Sequence, residues 1–230
     1  MSSGGIVAAG DSITNACSAD LVVDGVPARS WVEWVAAAAG EPLTVHARPG
    51  AASATVRNLL PDTAERYRLG LVYVGVNNII SWRWWRRDDL EADLRDIVKR
   101  MSDRADRVSV MQYPDTLGRA GAVFPYGPFL LRRVRAAQAI AARVAAESGA
   151  TLIKPPALTG DRMWIDGVHP TSTGHLAMGQ AALSALGLPP VDTFAHASAR
   201  PDFGRWRRRE LVRFRLRQPV HGIGTWLLGR

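Results

Sequence analysis

Five short apolar runs, separated by stretches of helical spacing, constrain this chain more than any other feature. Residues 5–10 (GIVAAG), 43–47 (LTVHA), 69–76 (LGLVYVGV), 107–112 (RVSVMQ) and 151–154 (TLIK) read as strands. Brief, largely apolar runs of this kind suit strands covered on both faces. Between them, 30–39 reads as a helix closed by Gly40, a residue that tolerates the left-handed turn ending many helices. Residues 53–68 are mixed and helical, interrupted at Pro61. Residues 88–104 open on acidic side chains and set Leu90, Leu94, Ile97, Val98 and Met101 at helical spacing. Residues 128–148 form a long Ala- and Arg-rich helical stretch, and 172–186 a last helix closing at Gly187. Strand–helix alternation predicts an α/β fold, with one five-stranded parallel sheet between two helical layers and right-handed crossovers.

The chain has 230 residues, enough for one α/β domain whose core needs no disulfide or metal staple. Cys17 is the single cysteine, which excludes an internal disulfide and fits a reducing compartment. The opening MSSGGIVAAGDS has no basic region before its apolar stretch, so no signal peptide is expected and the location read from the sequence is cytoplasmic. No run approaches the roughly 18–20 apolar residues of a membrane span. The net charge of +8 is unevenly placed, because residues 200–230 carry nine arginines against Asp202 and Glu210. The expected organisation is therefore one α/β domain over 1–190 and a basic, Arg- and Trp-rich extension over 191–230.

Parallel sheets gather ligands at the carboxyl ends of their strands. Four groups of chemistry-bearing residues fall there. Gly10, Asp11 and Ser12 end the first strand. Gly50 follows the second, Gly75–Asn78 end the third, and Asp166 and His169 lie between the fifth strand and the last helix. A serine hydroxyl is a weak nucleophile until a base takes its proton. His169 fits that base, and Asp166, three residues earlier, fits the group that orients it. The N–H groups of Ser12 and Gly50 and the Asn77 amide are candidate donors to a developing oxyanion. Gly-Asp-Ser is also an ordinary turn and helix-cap sequence; the convergence of four groups is what favours chemistry.

These blocks, GDSIT at 10–14, the isolated Gly50, GVNN at 75–78 and DGVHP at 166–170, resemble the SGNH (GDSL-type) hydrolases in order and content. The resemblance implies a flavodoxin-like α/β/α fold and serine-dependent hydrolysis of carboxylic esters, without a cofactor. Ser12, Asp166 and His169 would form the triad, and Ser12, Gly50 and Asn77 the oxyanion hole. It leaves open transfer of the acyl group to another acceptor, and a binding role for a degenerate site. One position departs from the pattern. The third block of the family ends in Asp, where this chain has Asn78, so a supporting hydrogen bond should differ.

Other residues carry two readings. Trp82, Trp84 and Trp85 in SWRWWRR either wall the substrate pocket, beside Asn78 and opposite Phe124 in FPYGPF, or pack their loop onto the next helix. His175 and His46 read as structural, Cys17 as a packing residue, and no metal-ligand spacing is present. The basic extension suits an anionic membrane surface or an acidic carrier protein, or straps the domain with its arginines solvated. No nucleic-acid-binding module is visible.

Overall fold

A computed structural model describes residues 4–15, 25–117, 126–159, 162 and 167–191. Its strands are β1 (Ile6–Gly10), β2 (Leu43–Ala47), β3 (Tyr67–Tyr73), β4 (Ala105–Met111) and β5 (Thr151–Ile153). All are parallel, in the spatial order β2-β1-β3-β4-β5. The helices are α1 (Trp31–Ala39), α2 (Ser53–Leu59), α3 (Val76–Ile80), α4 (Arg87–Ser102), α5 (Tyr126–Ser148) and α6 (Ser172–Leu186). α1 packs on α6, whereas α4 packs on both α2 and α5, giving the expected α/β/α sandwich. In this strand order the chain reverses its direction of travel at β1 and β3, so their carboxyl ends flank the topological switch point.

Local chemistry sets the element ends. Ser30 and Glu33 form a reciprocal capping box at the start of α1: the Glu33 N–H donates to Ser30 Oγ at 3.3 Å, and the Ser30 N–H to Glu33 Oε2 at 2.5 Å. Two tryptophans of α1, Trp31 and Trp34, are fully buried. Trp31 meets Tyr73 edge to face at 6.4 Å. α6 approaches this surface through Gly179, where a Cβ would stand 2.7 Å from that of Trp34. The inner strands β1 and β3 are almost wholly buried, while β2 is half-exposed at the sheet edge.

The expected boundaries around the third strand shift most in consequence. The third strand was expected over 69–76 but runs Tyr67–Tyr73, because Gly75 takes φ +105° and Val76 begins α3. The mixed segment 53–68 is helical only to Leu59, and its last two residues enter β3, where Tyr67 pairs with Ala105. β4 consequently starts two residues earlier than expected. Of the extension over 191–230, only Val191 is among the described residues. No helix among them is long and apolar enough to cross a membrane.

Candidate active site

β1 delivers Ser12 to the carboxyl edge of the sheet on a single helical turn, in which the Asn15 N–H donates to the Asp11 carbonyl at 3.0 Å. The turn folds back tightly: a Cβ on Gly10 would lie 2.1 Å from Thr14 Oγ1 and 2.9 Å from the Tyr73 carbonyl oxygen. Only glycine fits there. On the far side of the chain, the segment before α6 presents His169, whose Nε2 stands 2.9 Å from Ser12 Oγ across 157 residues of sequence. With Nδ1 carrying the ring proton, Nε2 accepts from the serine hydroxyl, which is the base-competent arrangement. The His169 segment is fixed at the N-terminus of α6, where the Thr171 N–H donates to the Arg162 carbonyl at 3.2 Å and the Gly174 N–H reaches Thr171 Oγ1 at 3.5 Å. Asp166, Phe124, Cys17 and the Arg-rich extension lie outside the described residues.

The loops after β2 and β3 meet beside this pair. The Arg48 N–H donates to the Gly10 carbonyl at 3.4 Å, and the Ala51 N–H to the Arg48 carbonyl at 3.1 Å, closing a turn in which Gly50 has φ +74°. Asn77, in α3, donates an amide hydrogen to the Ala51 carbonyl at 3.0 Å. The ends of β1, β2 and β3 are thus bound to one another, and Ser12, Gly50, Asn77 and His169 share one rim. At the end of β3, Gly75 lets Tyr113 and Leu90 come close, since a Cβ there would lie 2.7 Å from the Tyr113 hydroxyl and 2.7 Å from Leu90 Cδ1. The Tyr113 hydroxyl donates to the Val74 carbonyl, pinning the end of β3 from beneath.

Asn78 is buried and its amide is fully engaged. Its Oδ1 accepts the Ser53 N–H at 2.9 Å, and its Nδ2 donates to Ser53 Oγ at 3.0 Å and to the Trp84 carbonyl at 3.3 Å. Ser53 in turn donates its hydroxyl to Asp93 Oδ2 at 2.6 Å, while Arg57 Nη1 reaches Asp93 Oδ1 at 2.8 Å. A carboxylate therefore stands in this network, two hydrogen bonds from position 78 by way of Ser53. The neutral amide at 78 suits its surroundings, because it must donate to a carbonyl as well as accept an N–H.

Asp11 lies beneath Ser12 and is completely buried. Its Oδ1 accepts the Ile13 N–H at 3.1 Å, whereas Oδ2 makes no hydrogen bond of ordinary geometry among the described residues. Burial pushes this carboxyl up to about 7; nearby peptide N–H groups and the charge of His169 only partly oppose the shift. Burial, with the Asp11 charge second, also raises the Tyr73 and Tyr113 hydroxyls. His46, half-buried in β2, is lowered by burial first and by Arg104 second, and His175 is buried in α6. Among the described residues no group of three or more His, Cys, Asp or Glu is arranged to hold a metal.

The tryptophan loop divides its side chains. Trp85 packs against the core, while Trp82 and Trp84 are 51% and 44% exposed. The clamp beneath them is Arg133 of α5, which no local sequence pattern marks. Its Nη1 donates to the Ile79 and Ser81 carbonyls at 3.1 and 2.9 Å, and its guanidinium faces the Trp82 and Trp85 rings at 4.5 and 5.5 Å. Asp93 was not among the residues expected at this site, and Asp11 was expected only as part of the Gly10–Ser12 group. Asp93 had a visible signal, since it occupies the buried i+3 position of the Leu90–Leu94–Ile97 stripe. Asp11 had none beyond its place in the GDS block.

Residues 8–177 match the family described as the GDSL-like Lipase/Acylhydrolase family. No curated protein matches the chain. Among solved structures, an acetylxylan esterase from Geobacillus stearothermophilus is 18% identical over 84% of this chain and 98% of its own, with a TM-score of 0.60. An alpha/beta hydrolase enzyme from the metagenome of Lake Arreo, Spain, is 17% identical over 81% of this chain and 97% of its own, with a TM-score of 0.57. At such identities these two share the fold.

Proposed function

The chain belongs to the GDSL-like lipase/acylhydrolase family, and from that premise we propose that this carboxylic ester hydrolase works through an acyl intermediate on Ser12. The observation that carries the reading is the 2.9 Å approach of His169 Nε2 to Ser12 Oγ. In the proposed path His169 takes the hydroxyl proton as Ser12 attacks the ester carbonyl. The oxyanion forms against the N–H groups of Ser12 and Gly50 and an amide hydrogen of Asn77. The Ala51 carbonyl holds the other Asn77 hydrogen at 3.0 Å, so the donor is oriented before substrate arrives. The protonated His169 then gives its proton to the leaving alkoxide, and water repeats the sequence to release the acid. Asp166 orients the imidazole and stabilises its charged form.

Two further facts support this assignment. Catalytic mutants of the Geobacillus acetylxylan esterase replace a serine, an aspartate and a histidine, the last two being three residues apart. Asp166 and His169 have the same separation here. Asn78, where the family pattern has Asp, is engaged with Ser53 and Trp84 rather than turned toward Ser12, so its amide leaves the proposed chemistry intact. The substrates we propose are carboxylic esters. Ser12→Ala should lower turnover of p-nitrophenyl acetate by about a thousandfold or more, and a fluorophosphonate probe should label the wild-type chain at Ser12. Unchanged turnover in that variant would overturn the mechanism.

A further inference from the structure

Four large hydrophobic side chains are markedly exposed among the described residues, and three of them share one end of the molecule. Trp82, Trp84 and Phe129 are 51, 44 and 47% exposed, and Val45 on the edge strand is the fourth. The topology puts the three aromatics at the carboxyl edge of the sheet. α4 carries the chain back from the end of β3 to the start of β4, and α5 from the end of β4 to the start of β5. The segment before α4 and the first turns of α5 therefore face the same rim as Ser12 and Asn77. Trp82 and Phe129 bridge the two segments at 6.1 Å between ring centroids.

The loop is held although its rings are out in solvent. The Ser81 hydroxyl accepts the Arg83 and Trp84 N–H groups at 3.2 and 3.4 Å, and the Asn78 amide holds the Trp84 carbonyl at 3.3 Å. Arg133 fixes the Ile79 and Ser81 carbonyls and stacks beneath Trp82. Ordering cost on contact with a partner is low, since the backbone is already fixed. The polar residues among these aromatics have one predominant sign. Arg83, Arg86, Arg87 and Arg132 are exposed and Arg133 is half-buried. Asp88 and Asp89 are the acids of the same stretch, and Asp89 stands 3.9 Å from Arg86.

We propose that this tryptophan–arginine face docks the protein on an anionic lipid bilayer, with the candidate active site turned toward the membrane. Amphipathic aromatic rings settle at the headgroup level, and each arginine near an anionic surface adds electrostatic attraction that salt screens. A saccharide would need acceptors as well as donors around the stacking ring, and the polar groups here are mainly guanidinium donors. Presentation of membrane-borne esters to Ser12 rests on the proposed function above; the docking itself does not.

The test uses the full chain and vesicles of phosphatidylcholine, alone or with about one third phosphatidylglycerol. Wild type and Ser12→Ala should co-sediment equally with the anionic vesicles at low salt and with neither type at high salt. Loss of hydrolysis without loss of binding thus separates the two proposals. Arg83→Gln/Arg87→Gln and Trp84→Ala/Phe129→Ala should each lower the bound fraction by about fivefold or more, with unchanged thermal midpoints. Should the alanine pair fail to fold, Trp84→Phe keeps the apolar bulk. It should retain binding while losing part of the fluorescence quenching by brominated lipid. Undiminished binding in the arginine and alanine pairs, equal binding to neutral vesicles, or no binding by wild type would each overturn the proposal. So would a dimer of wild type that the alanine pair converts to monomer, which would assign the face to a second copy of the chain.

Discussion

Among the described residues, two aspartates are buried near this rim, and they are treated in opposite ways. Asp93, on α4, has both carboxylate oxygens occupied, by Ser53 Oγ at 2.6 Å and Arg57 Nη1 at 2.8 Å. Asp11, at the end of β1, has one oxygen on the Ile13 N–H and one with no hydrogen bond of ordinary geometry among the described residues. A buried charge is costly unless it is paired and hydrogen-bonded. Asp93 meets that condition and braces the start of α2, the Asn78 amide and, through them, the loops carrying Gly50 and Asn77. Asp11 does not, and burial drives its carboxyl up to about 7 beside His169. The contrast separates a carboxylate that serves the scaffold from one whose cost is tolerated next to the candidate chemistry.

The largest expected effect comes from removing the satisfied member. Asp93→Ala leaves Ser53 Oγ without its acceptor and Arg57 without its partner. Breaking a buried pair costs about 3–5 kcal/mol, but the Arg57 side chain is 38% exposed and water recovers part of that. A loss of about 3 kcal/mol in urea denaturation is expected. A loss under about 0.5 kcal/mol, the ordinary surface value, would remove the contrast.

Asp11→Asn should act the other way and only in part of the pH range. An acid raised from 3.8 to about 7 in the fold holds its proton longer there than in the open chain. Its contribution to stability is therefore full below about 4 and is lost as pH rises toward 7. The asparagine keeps an oxygen for the Ile13 N–H and abolishes that loss. Relative to wild type, the variant should gain about 2 kcal/mol in stability between pH 5 and pH 8. A pH-independent difference would mean that Asp11 is ionised throughout.

Most of this fold was legible in the sequence, and these two residues show where legibility ended. The strands 6–10 and 43–47 and the helices 31–39 and 172–186 follow from apolar period and glycine stops. The third strand was misjudged because LVYVGV is apolar throughout, and period alone cannot say where a buried strand turns into a short helix. Gly75 marks the break through its left-handed angle, and Leu90 and Tyr113 leave no room for a Cβ there. Motif and strand-end reasoning placed Ser12, Gly50, Asn77 and His169 at strand ends, and the fold puts these four on one rim. The Ser53–Asp93–Arg57 chain was not found, because it joins side chains separated by up to 40 residues. No local pattern encodes such a pairing.

Asn78→Asp tests whether the rim tolerates a second carboxylate. The new group would keep the Ser53 N–H but would turn an acceptor toward the Trp84 carbonyl and toward Ser53 Oγ, which already donates to Asp93. A loss of about 1–2 kcal/mol at pH 8 is expected, from one buried donor removed and two acceptors opposed. Adding Asp93→Asn returns a donor to the network and should recover about half of it, a coupling typical of residues in one network. Additive losses in the double variant would mean that positions 78 and 93 do not communicate through Ser53.

Arg57→Gln carries the smallest effect and the finest distinction. The partner carboxylate, 6% exposed, would keep the Ser53 hydroxyl, and a glutamine amide can still donate to the vacated oxygen. Exposed and half-exposed ion pairs contribute roughly 0–1 kcal/mol, so a loss of about 0.5–1 kcal/mol is expected, shrinking in high salt. If the loss instead reached that of Asp93→Ala, the arginine charge and not the hydrogen bonds would be what makes Asp93 tolerable. The two aspartates would then differ by one nearby cation, and a cation introduced beside Asp11 should bring its carboxyl back below 7.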